Sequence, residues 1–138
     1  MTFEQWKKAE NMLSTVLGFV KMKVDGYDIT IQYAKEKPTK YVLAVYVNGE
    51  IRGEWLAEDC EIRRKFCYCG ERQILSSKQK KKIFAGLTKR EQTRFEKENR
   101  DRLYYKYYTP YFNSFRTLKA HLIKNNKSIE LIEKNIEL

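Results

Sequence analysis

The residues that most clearly point to a chemical role are the lysines and arginines concentrated in the middle of the chain. Between Arg63 and Lys106 there are fifteen Lys and Arg residues and five Asp and Glu residues, whereas the rest of the 138-residue chain holds thirteen of each. The whole net charge of +10 therefore falls within this stretch. Charge localised in this way creates a directional field that attracts a polyanion, and solubility alone does not require such clustering.

Residues 63–90, here called the basic segment, hold most of this excess. Ten cations there face a single acidic residue, Glu71, so the segment carries a charge of +9. Like charges repel one another and cost folding free energy unless a partner neutralises them, as a phosphate backbone does while it releases counterions. The predicted contacts to nucleic acid or to another polyanionic partner are Arg63, Arg64, Lys65, Arg72, Lys78, Lys80, Lys81, Lys82, Lys89 and Arg90.

Pairing with nearby acids is the alternative explanation of the positive charge. Residues 91–106 contribute only +1, and their acids stand at the i, i+4 spacing at which ion pairs form on a helix. The pairs expected from this spacing are Glu96 with Arg100 and Glu98 with Arg102. Acids just upstream provide the same alternative for the first cations of the basic segment: Glu58, Asp59 and Glu61.

A run of aromatic residues ends the basic region. It comprises Tyr104, Tyr105, Tyr107, Tyr108, Tyr111, Phe112 and Phe115. Phenol rings can form a stacking platform for bases, or they can pack the junction between helices and sheet. Packing is favoured for most of them, because neighbours on a helix or turn cannot all face one ligand. Tyr104 and Tyr108 are the two that we predict to reach the surface beside the basic segment.

The sequence lacks the usual catalytic and metal-binding patterns. The only histidine, His121, lies on an amphipathic pattern without a nucleophile and an orienting acid to act with it, so a structural role is favoured. Cys60, Cys67 and Cys69 lack the C-x-x-C spacing and the second histidine of a zinc site. We therefore predict a non-enzymatic protein without metal or cofactor. A small metal-dependent nuclease is an alternative, because its acidic ligands need no sequence signature.

Hydrophobic periodicity predicts that residues 1–56 form a helix followed by a sheet. Apolar residues at steps of three and four predict a helix over residues 2–17. Thr2 and Gln5 fit a capping box at its start, and Gly18 fits a left-handed C-cap at its end. Period-two patterns then predict strands at 20–24, 27–33, 41–47 and 50–56, with turns at Asp25-Gly26 and Asn48-Gly49. They form a four-stranded antiparallel meander whose third strand, the most apolar, is central.

Residues 57–138 are predicted to be helical, with the helices packed on the sheet. The first expected helix covers residues 57–69 and is stopped by Gly70, and a second, lysine-rich helix runs from Ser76 or Ser77 to near Gly86. A third begins with a capping box of Thr88 and Glu91 and runs to about Tyr105, and a fourth begins at Thr109-Pro110 and stops near Asn125-Asn126. The last helix is capped by Ser128 and has Ile129, Ile132 and Ile136 on one face. The fold class is α+β, with residues 1–138 as one domain.

The composition of the sequence also limits where the protein can be located and how it can assemble. No apolar run approaches the ~18 residues that a membrane-spanning helix needs, and the N-terminus lacks the pattern of a signal peptide. Three cysteines do not make a secreted disulfide framework. A cytoplasmic protein without a membrane partner is expected. The apolar face of the last helix can dock on its own domain or on a second copy, so we expect a monomer or a weak dimer.

Two stretches of the sequence resemble short accessory proteins of bacteriophages and prophages. The first is Tyr46-Val47-Asn48-Gly49 followed by Gly53-Glu54-Trp55-Leu56 and Arg64-Lys65-Phe66, and the second runs from Tyr108-Thr109-Pro110 through Leu118-Lys119-Ala120-His121 to Asn126. The resemblance implies a protein that acts without catalysis by binding a host machine, as anti-CRISPR proteins do when they block a nucleic-acid-guided nuclease. No functional residue is carried over from it.

Three hypotheses of function follow from these observations. The first is a non-enzymatic, phage-encoded binding protein that inhibits a host nucleic-acid-handling complex of the CRISPR type, in a host cell's cytoplasm, through the basic segment. The second is a stand-alone DNA- or RNA-binding protein. The third is the small nuclease. The partner is thus nucleic acid or a host nucleoprotein complex, although an acidic protein surface would also suit the charge.

Overall fold

The computed structural model describes residues 1–15 and 18–132. Its elements in chain order are α1 (Phe3–Leu13), β1 (Phe19–Val24), β2 (Tyr27–Lys37), β3 (Lys40–Val47), α2 (Glu54–Ala57), α3 (Glu61–Phe66), β4 (Tyr68–Gln73), α4 (Ser77–Phe84), α5 (Lys89–Glu98), α6 (Arg100–Leu103), β5 (Tyr104–Thr109), β6 (Tyr111–Phe112), α7 (Phe115–Asn125) and β7 (Ile129–Ile132). Helices and an antiparallel sheet confirm the α+β class.

The chain divides into two compact units. Unit 1 comprises Met1–Tyr68 together with Tyr108–Leu138, and unit 2 comprises Cys69–Tyr107. Unit 2 is therefore one continuous excursion of the chain, which leaves unit 1 after Tyr68 and returns at Tyr108. The prediction of one domain over residues 1–138 stays a prediction.

Helix α1 begins as the sequence predicts and ends earlier. The Thr2 hydroxyl accepts from the Gln5 amide, and the Gln5 side chain accepts from the Thr2 amide, which confirms the capping box. The helix stops at Leu13 because the Ser14 hydroxyl and amide both donate to the Asn11 carbonyl and compete with helical hydrogen bonding. The C-cap predicted at Gly18 is therefore wrong, and the predicted residues 16 and 17 lie outside the described residues.

Three strands of the predicted meander are present. Both predicted turns are confirmed, with positive φ at Asp25 (48°) and Gly26 (88°), and at Asn48 (52°) and Gly49 (84°), as a two-residue hairpin turn requires. Side chains alternate along β1, so that Val20, Met22 and Val24 are buried. The sheet has five strands in the order β6-β3-β2-β1-β7. Strand β2 occupies the middle position, and β3 lies between β6 and β2, so the predicted third strand is an interior strand as expected.

The fourth strand predicted at 50–56 is wrong. Only Glu50 returns from the turn, through a single bridge to Val47. Gly53 has no side chain with which to pack in a strand, and the chain instead forms α2, from which Trp55 enters the core. The free edge of β3 is paired with the short strand β6, where Leu43 faces Phe112.

Several C-terminal predictions also need correction. Of the helix predicted at 57–69, only α3 forms as an element, since residue 57 is the last of α2 and residues 68 and 69 already belong to β4; Gly70 lies inside β4 rather than at a helix end. Helix α7 is capped by Ser114, whose hydroxyl accepts from the Thr117 amide, and not by Thr109-Pro110, but it ends near Asn125-Asn126 as predicted. The last predicted helix is the strand β7, because pairing with β1 satisfies its backbone groups; Ile136 lies outside the described residues.

Unit 2 is built on the two-stranded sheet of β4 and β5, with α4, α5 and α6 between them in the chain. The capping box of Ser76 and Gln79 confirms the predicted start of α4, and Gly86 follows its end with a φ of 82°. Thr88 caps α5 by accepting from the Glu91 amide. The single helix predicted to Tyr105 is interrupted at Asn99, which separates α5 from α6. It is wrong beyond Leu103, because the tyrosine run that follows has high strand propensity and forms β5.

The hydrophobic core belongs to unit 1. All nineteen buried hydrophobic side chains among the described residues lie there, from Trp6 to Leu122. Seventeen of them form one cluster between the helices and one face of the five-stranded sheet, and the other two, Val42 and Ala44, lie on the opposite face of β3. Residues 1–15 and 18–132 contain no helix long and apolar enough to cross a membrane.

Candidate polyanion-binding surface

The twelve predicted contact residues fall into two groups. Four of them lie in unit 1: Arg63, Arg64, Lys65 and Tyr108. The other eight lie in unit 2: Arg72, Lys78, Lys80, Lys81, Lys82, Lys89, Arg90 and Tyr104. The contacts of each group decide how much of its charge is available to a partner.

Two cations of the unit 1 group are already paired with acids. The Arg64 guanidinium lies 2.8 Å from the Asp59 carboxylate. The Lys65 ammonium lies 2.5 Å from the Asp25 carboxylate and 3.9 Å from that of Glu61, and its side chain is only 18% exposed. Internal pairing, the alternative to a polyanionic partner, therefore accounts for these two charges.

Asp25 anchors Lys65 within a small polar cluster. Its carboxylate also accepts from the Ser128 amide at 2.8 Å and the Lys127 amide at 3.1 Å. The hydrogen bond from Lys65, followed by that from Ser128, lowers the pKa of Asp25 from 3.8 to about 2. The folded state therefore favours the ionised carboxylate over the acid form, so the cluster contributes to stability above the ordinary pKa of Asp25.

Arg63 and Tyr108 contact each other. The Arg63 guanidinium lies 3.3 Å above the centroid of the Tyr108 ring, a distance at which a cation is attracted to the ring face. The Tyr108 ring packs against the core of unit 1, and Arg63 Nε is buried without a hydrogen-bond partner among the described residues. Tyr108 is thus a packing residue that holds Arg63, and its prediction as a surface contact has no support from this geometry.

Unit 2 carries most of the net charge. Its twelve Lys and Arg residues and five Asp and Glu residues give +7, whereas the sixteen cations and thirteen acids of unit 1 give +3. Three cations of unit 2 are paired: Lys80 with Glu96 at 3.0 Å, Arg94 with Glu98 at 3.1 Å, and Arg100 with Glu71. Both pairs predicted from i, i+4 spacing are wrong. Glu96 pairs with Lys80 of α4 and Arg100 with Glu71 of β4, and Glu98 pairs with Arg94, which precedes it, rather than with Arg102.

Nine exposed cations of unit 2 have no ion-pair partner in the part of the chain that the structure describes. We call these nine residues the cation surface: Arg72, Lys78, Lys81, Lys82, Lys89, Arg90, Lys97, Arg102 and Lys106. Six of them belong to the predicted contacts. Lys97, Arg102 and Lys106 were missed because residues 91–106 were expected to neutralise themselves.

Helix α4 separates its lysines by face. Lys80 turns toward α5, where it pairs with Glu96 beside the edge-to-face contact of Phe84 and Phe95, whose ring centroids are 5.8 Å apart. Lys78, Lys81 and Lys82 stand at i, i+3 and i+4, which places them on the opposite face of the helix. Three of the predicted contacts therefore form one exposed row, and the fourth is used to join two helices.

The tyrosines of β5 are also divided by strand alternation. Tyr104 faces inward: its ring lines a small cavity with Leu75, Phe84 and Leu103, and Arg100 lies 4.8 Å from its centroid. Its prediction as a surface contact therefore also lacks support. Tyr105 and Tyr107 point to the other face of the sheet, and Tyr105 is 46% exposed. Alternation along a strand separates Tyr104 from Tyr105 and Tyr107, but the sequence indicates this only if residues 104–109 are already known to form a strand.

The histidine and the three cysteines are the remaining side chains that could take part in catalysis or metal binding. Burial lowers the pKa of His121, whose Nδ1 lies 3.2 Å from the Asn125 amide nitrogen. Burial raises the pKa of the Cys67 thiol to about 11. Cys60, Cys67 and Cys69 are all free, and residues 1–15 and 18–132 hold no group of three or more His, Cys, Asp or Glu side chains placed to bind a metal ion.

Comparison of the chain with protein-family models, with curated proteins and with solved structures finds no match. The resemblance to phage accessory proteins accordingly stays a prediction.

Proposed function

We propose that this protein is a non-enzymatic nucleic-acid-binding protein that acts through the cation surface of unit 2. In the setting that the resemblance implies, it is phage-encoded and inhibits a host complex of the CRISPR type by contacting nucleic acid held in that complex. The observation that carries the proposal is the set of nine exposed cations without an acidic partner among the described residues.

Internal pairing accounts for the charge less well in unit 2 than in unit 1. Of the five acids in unit 2, Glu71, Glu96 and Glu98 are already engaged with single cations. Even if Glu91 and Asp101 each neutralised one more cation, most of the cation surface would remain unpaired. The mutual repulsion of these charges is relieved by a polyanion, which also gains entropy by releasing its counterions.

Helix α4 adds a local reason to bind an anion. Its first turn contains Lys78 and no acidic residue, although the positive end of the helix dipole favours negative charge there. Lys78 at this position costs about 0.3–1 kcal/mol in an isolated helix. A phosphate group beside Lys78, Lys81 and Lys82 would satisfy both the side chains and the dipole, since N-termini of helices favour anions.

A charge-reversal experiment tests the proposal. We expect purified protein to bind a labelled DNA duplex with an affinity that falls steeply with salt, with a log–log slope near −5 for ~6 phosphate contacts. The triple variant Lys78→Glu, Lys81→Glu, Lys82→Glu should bind much more weakly and reduce the magnitude of that slope by about 3, since each phosphate contact contributes about 1. Fluorescence anisotropy across a series of salt concentrations measures both quantities.

The β2–β3 hairpin of unit 1 provides a matched control. Lys35→Glu, Lys37→Glu, Lys40→Glu changes the net charge by the same amount at three exposed lysines. We expect this variant to keep the salt slope of the wild type. Equal losses in the two variants would mean that net charge rather than the cation surface governs binding, and no binding of any oligonucleotide at low salt would refute the proposal.

Capture from a phage-exposed host separates free nucleic acid from a host complex. We expect the wild type to co-purify with a nucleoprotein complex, the α4 triple variant to lose it, and the hairpin triple variant to keep it. Digestion of the nucleic acid before capture should abolish the interaction. Capture that survives digestion but still depends on the α4 lysines would instead identify an acidic protein surface as the partner.

A further inference from the structure

The outer face of the β4–β5 sheet combines two exposed or half-exposed phenol rings with an arginine. Tyr105 and Tyr107 are two residues apart on β5 and share this face. Arg72 on β4 lies against Tyr107, with its guanidinium 4.6 Å from the centroid of that ring. The hydroxyl of Tyr105, followed by that of Tyr107, raises the pKa of Arg72 by hydrogen bonding. Three planar groups are thus held together on one side of unit 2.

The backbone of β4 makes room for this arrangement. Gly70 is buried directly under the end of the Tyr107 ring, and a Cβ atom at this position would overlap that ring. Gly70 and Arg72 are two residues apart in the strand, so both face the tyrosines. The ring of Tyr107 is therefore fixed against the sheet by the glycine beneath it and the guanidinium beside it.

Arg72 keeps both its charge and its planar surface available. The neighbouring acid, Glu71, points to the opposite face of the strand and pairs with Arg100. Arg72 itself is exposed and contacts tyrosines rather than a carboxylate. Tyr105 is 46% exposed and has no aromatic ring packed on it in the described part of the chain. A ligand that suits this face has a flat ring and a negative charge.

We propose that Arg72, Tyr105 and Tyr107 form a base-stacking site, which makes single-stranded nucleic acid the preferred ligand of unit 2. An unpaired base can lie on the Tyr105 ring or on the guanidinium plane of Arg72, as bases do on aromatic and arginine side chains in single-strand binding proteins. A duplex keeps its base faces covered by neighbouring pairs and offers only phosphates. The proposal rests on the proposed function and specifies its substrate class.

Three oligonucleotides of equal charge per strand test this site on the wild-type protein. They are a labelled dT12 single strand, a 12-residue strand that is abasic throughout, and a 12-base-pair duplex. We expect dT12 to bind about tenfold more tightly than the abasic strand, because base–aromatic stacking contributes a factor of this order per base. Equal affinity for dT12 and the abasic strand would overturn the stacking site while leaving phosphate binding intact. Failure of all three to bind would overturn the proposed function itself.

Variants then assign the effect to the rings. Tyr105→Ala should weaken dT12 binding about tenfold and leave the abasic strand and the duplex unaffected. Tyr105→Phe keeps the ring and loses only the hydroxyl beside Arg72, so it should keep most of the dT12 affinity that Tyr105→Ala loses. Tyr41→Ala removes a tyrosine of unit 1 that is 57% exposed and should change none of the affinities. A Tyr105→Ala variant that binds dT12 as tightly as the wild type would exclude Tyr105 as a stacking residue.

Arg72→Lys tests the planar group without removing its charge. We expect a loss of dT12 affinity with no change for the abasic strand, because lysine keeps the positive charge but presents no plane for stacking. Equal losses for the two strands would show that Arg72 acts as a charge alone. Photo-cross-linking of a strand that carries 5-bromodeoxyuridine should label the peptide containing Tyr105, and labelling confined to unit 1 would contradict the site.

Discussion

At the scale of single residues, the surroundings of a charged side chain decide its role more than its type does. Lys65 and Lys81 both belong to the basic segment. Lys65 is bound between Asp25 and Glu61, whereas Lys81 lies on the exposed row of α4 with no acid in ion-pair distance among the described residues. The first lysine stabilises the fold of unit 1, and the second is available to a partner.

Replacement of Asp25 by asparagine should reveal its structural role through pH. The folded state lowers the pKa of Asp25 from 3.8 to about 2, so its contribution to stability is complete above about pH 4 and is lost as the pH falls toward 2. Asp25→Asn keeps a residue that tolerates the positive φ of 48° at this turn but removes the charge. We expect the variant to be less stable at neutral pH, with a difference that shrinks between pH 4 and pH 2.

Urea unfolding of both proteins as a function of pH measures this difference. Asp28→Asn serves as the control. Asp28 lies on the same hairpin, but it is exposed and forms one ion pair, with Lys23, at the longer distance of 3.4 Å. It should show a much smaller effect at neutral pH. A stability difference for Asp25→Asn that is constant from pH 7 to pH 2 would show that the charge of Asp25 has no part in it.

At the scale of elements, the β4–β5 pair depends on a residue that has no side chain. Gly70→Ala should force the Tyr107 ring away from the sheet, and overpacking of this kind costs about 1–3 kcal/mol. The Ile74 amide, which donates to the Leu103 carbonyl at 2.8 Å, reports on the same unit. We expect its hydrogen exchange to become about 5- to 150-fold faster, as such a change in free energy implies.

Gly53→Ala is the matched control for this prediction. Gly53 has a φ of −63°, and a Cβ atom there would meet no atom within 4 Å. Alanine at such a position stabilises by about 0.4–1 kcal/mol, because it restricts the unfolded chain. Exchange at Ile74 should be unchanged in this variant. If the Ile74 amide of Gly70→Ala exchanges at the wild-type rate, the Tyr107 ring can move aside without lowering the stability of unit 2.

At the scale of the whole molecule, hydrophobic burial and positive charge are distributed unequally. Unit 1 holds all nineteen buried hydrophobic side chains of the described residues, and unit 2 holds a net charge of +7 in 39 residues. Chains of fewer than about 40 residues rarely fold without additional support. Few buried contacts are the signature of a region that opens at low free energy. The cation surface, which we propose as the binding surface, therefore lies in the unit without a buried hydrophobic side chain among the described residues, and we expect this unit to open at a lower free energy than unit 1.

Hydrogen exchange should follow this division. We expect amides of the β2–β3 ladder to exchange only through global unfolding, and amides of α4, such as Lys80, which donates to the Ser76 carbonyl at 2.9 Å, to exchange orders of magnitude faster. A saturating oligonucleotide should slow exchange in unit 2 and leave β2–β3 unchanged, because a ligand stabilises the region that it binds. Equal protection of the two regions in the free protein would contradict this distribution of stability.

The sequence by itself determined those features that a few consecutive residues contain. The capping box at Thr2, the helix cap at Ser76, the hairpin turns at Asp25-Gly26 and Asn48-Gly49, and the α+β class are all confirmed. These predictions succeed because caps, turns and periodicity depend on hydrogen bonds and burial within one segment. The concentration of charge in the middle of the chain was equally visible.

Only the tertiary structure decided which groups meet across the chain. Lys65 reaches an acid 40 residues away, β7 is a strand because β1 lies beside it, and the tyrosine run is a strand because β4 pairs with it. Backbone pairing and ion pairing between distant residues leave no local period in the sequence. For this reason the cation surface could be predicted in part, whereas the choice of Tyr105 and Tyr107 over Tyr104 and Tyr108 could not.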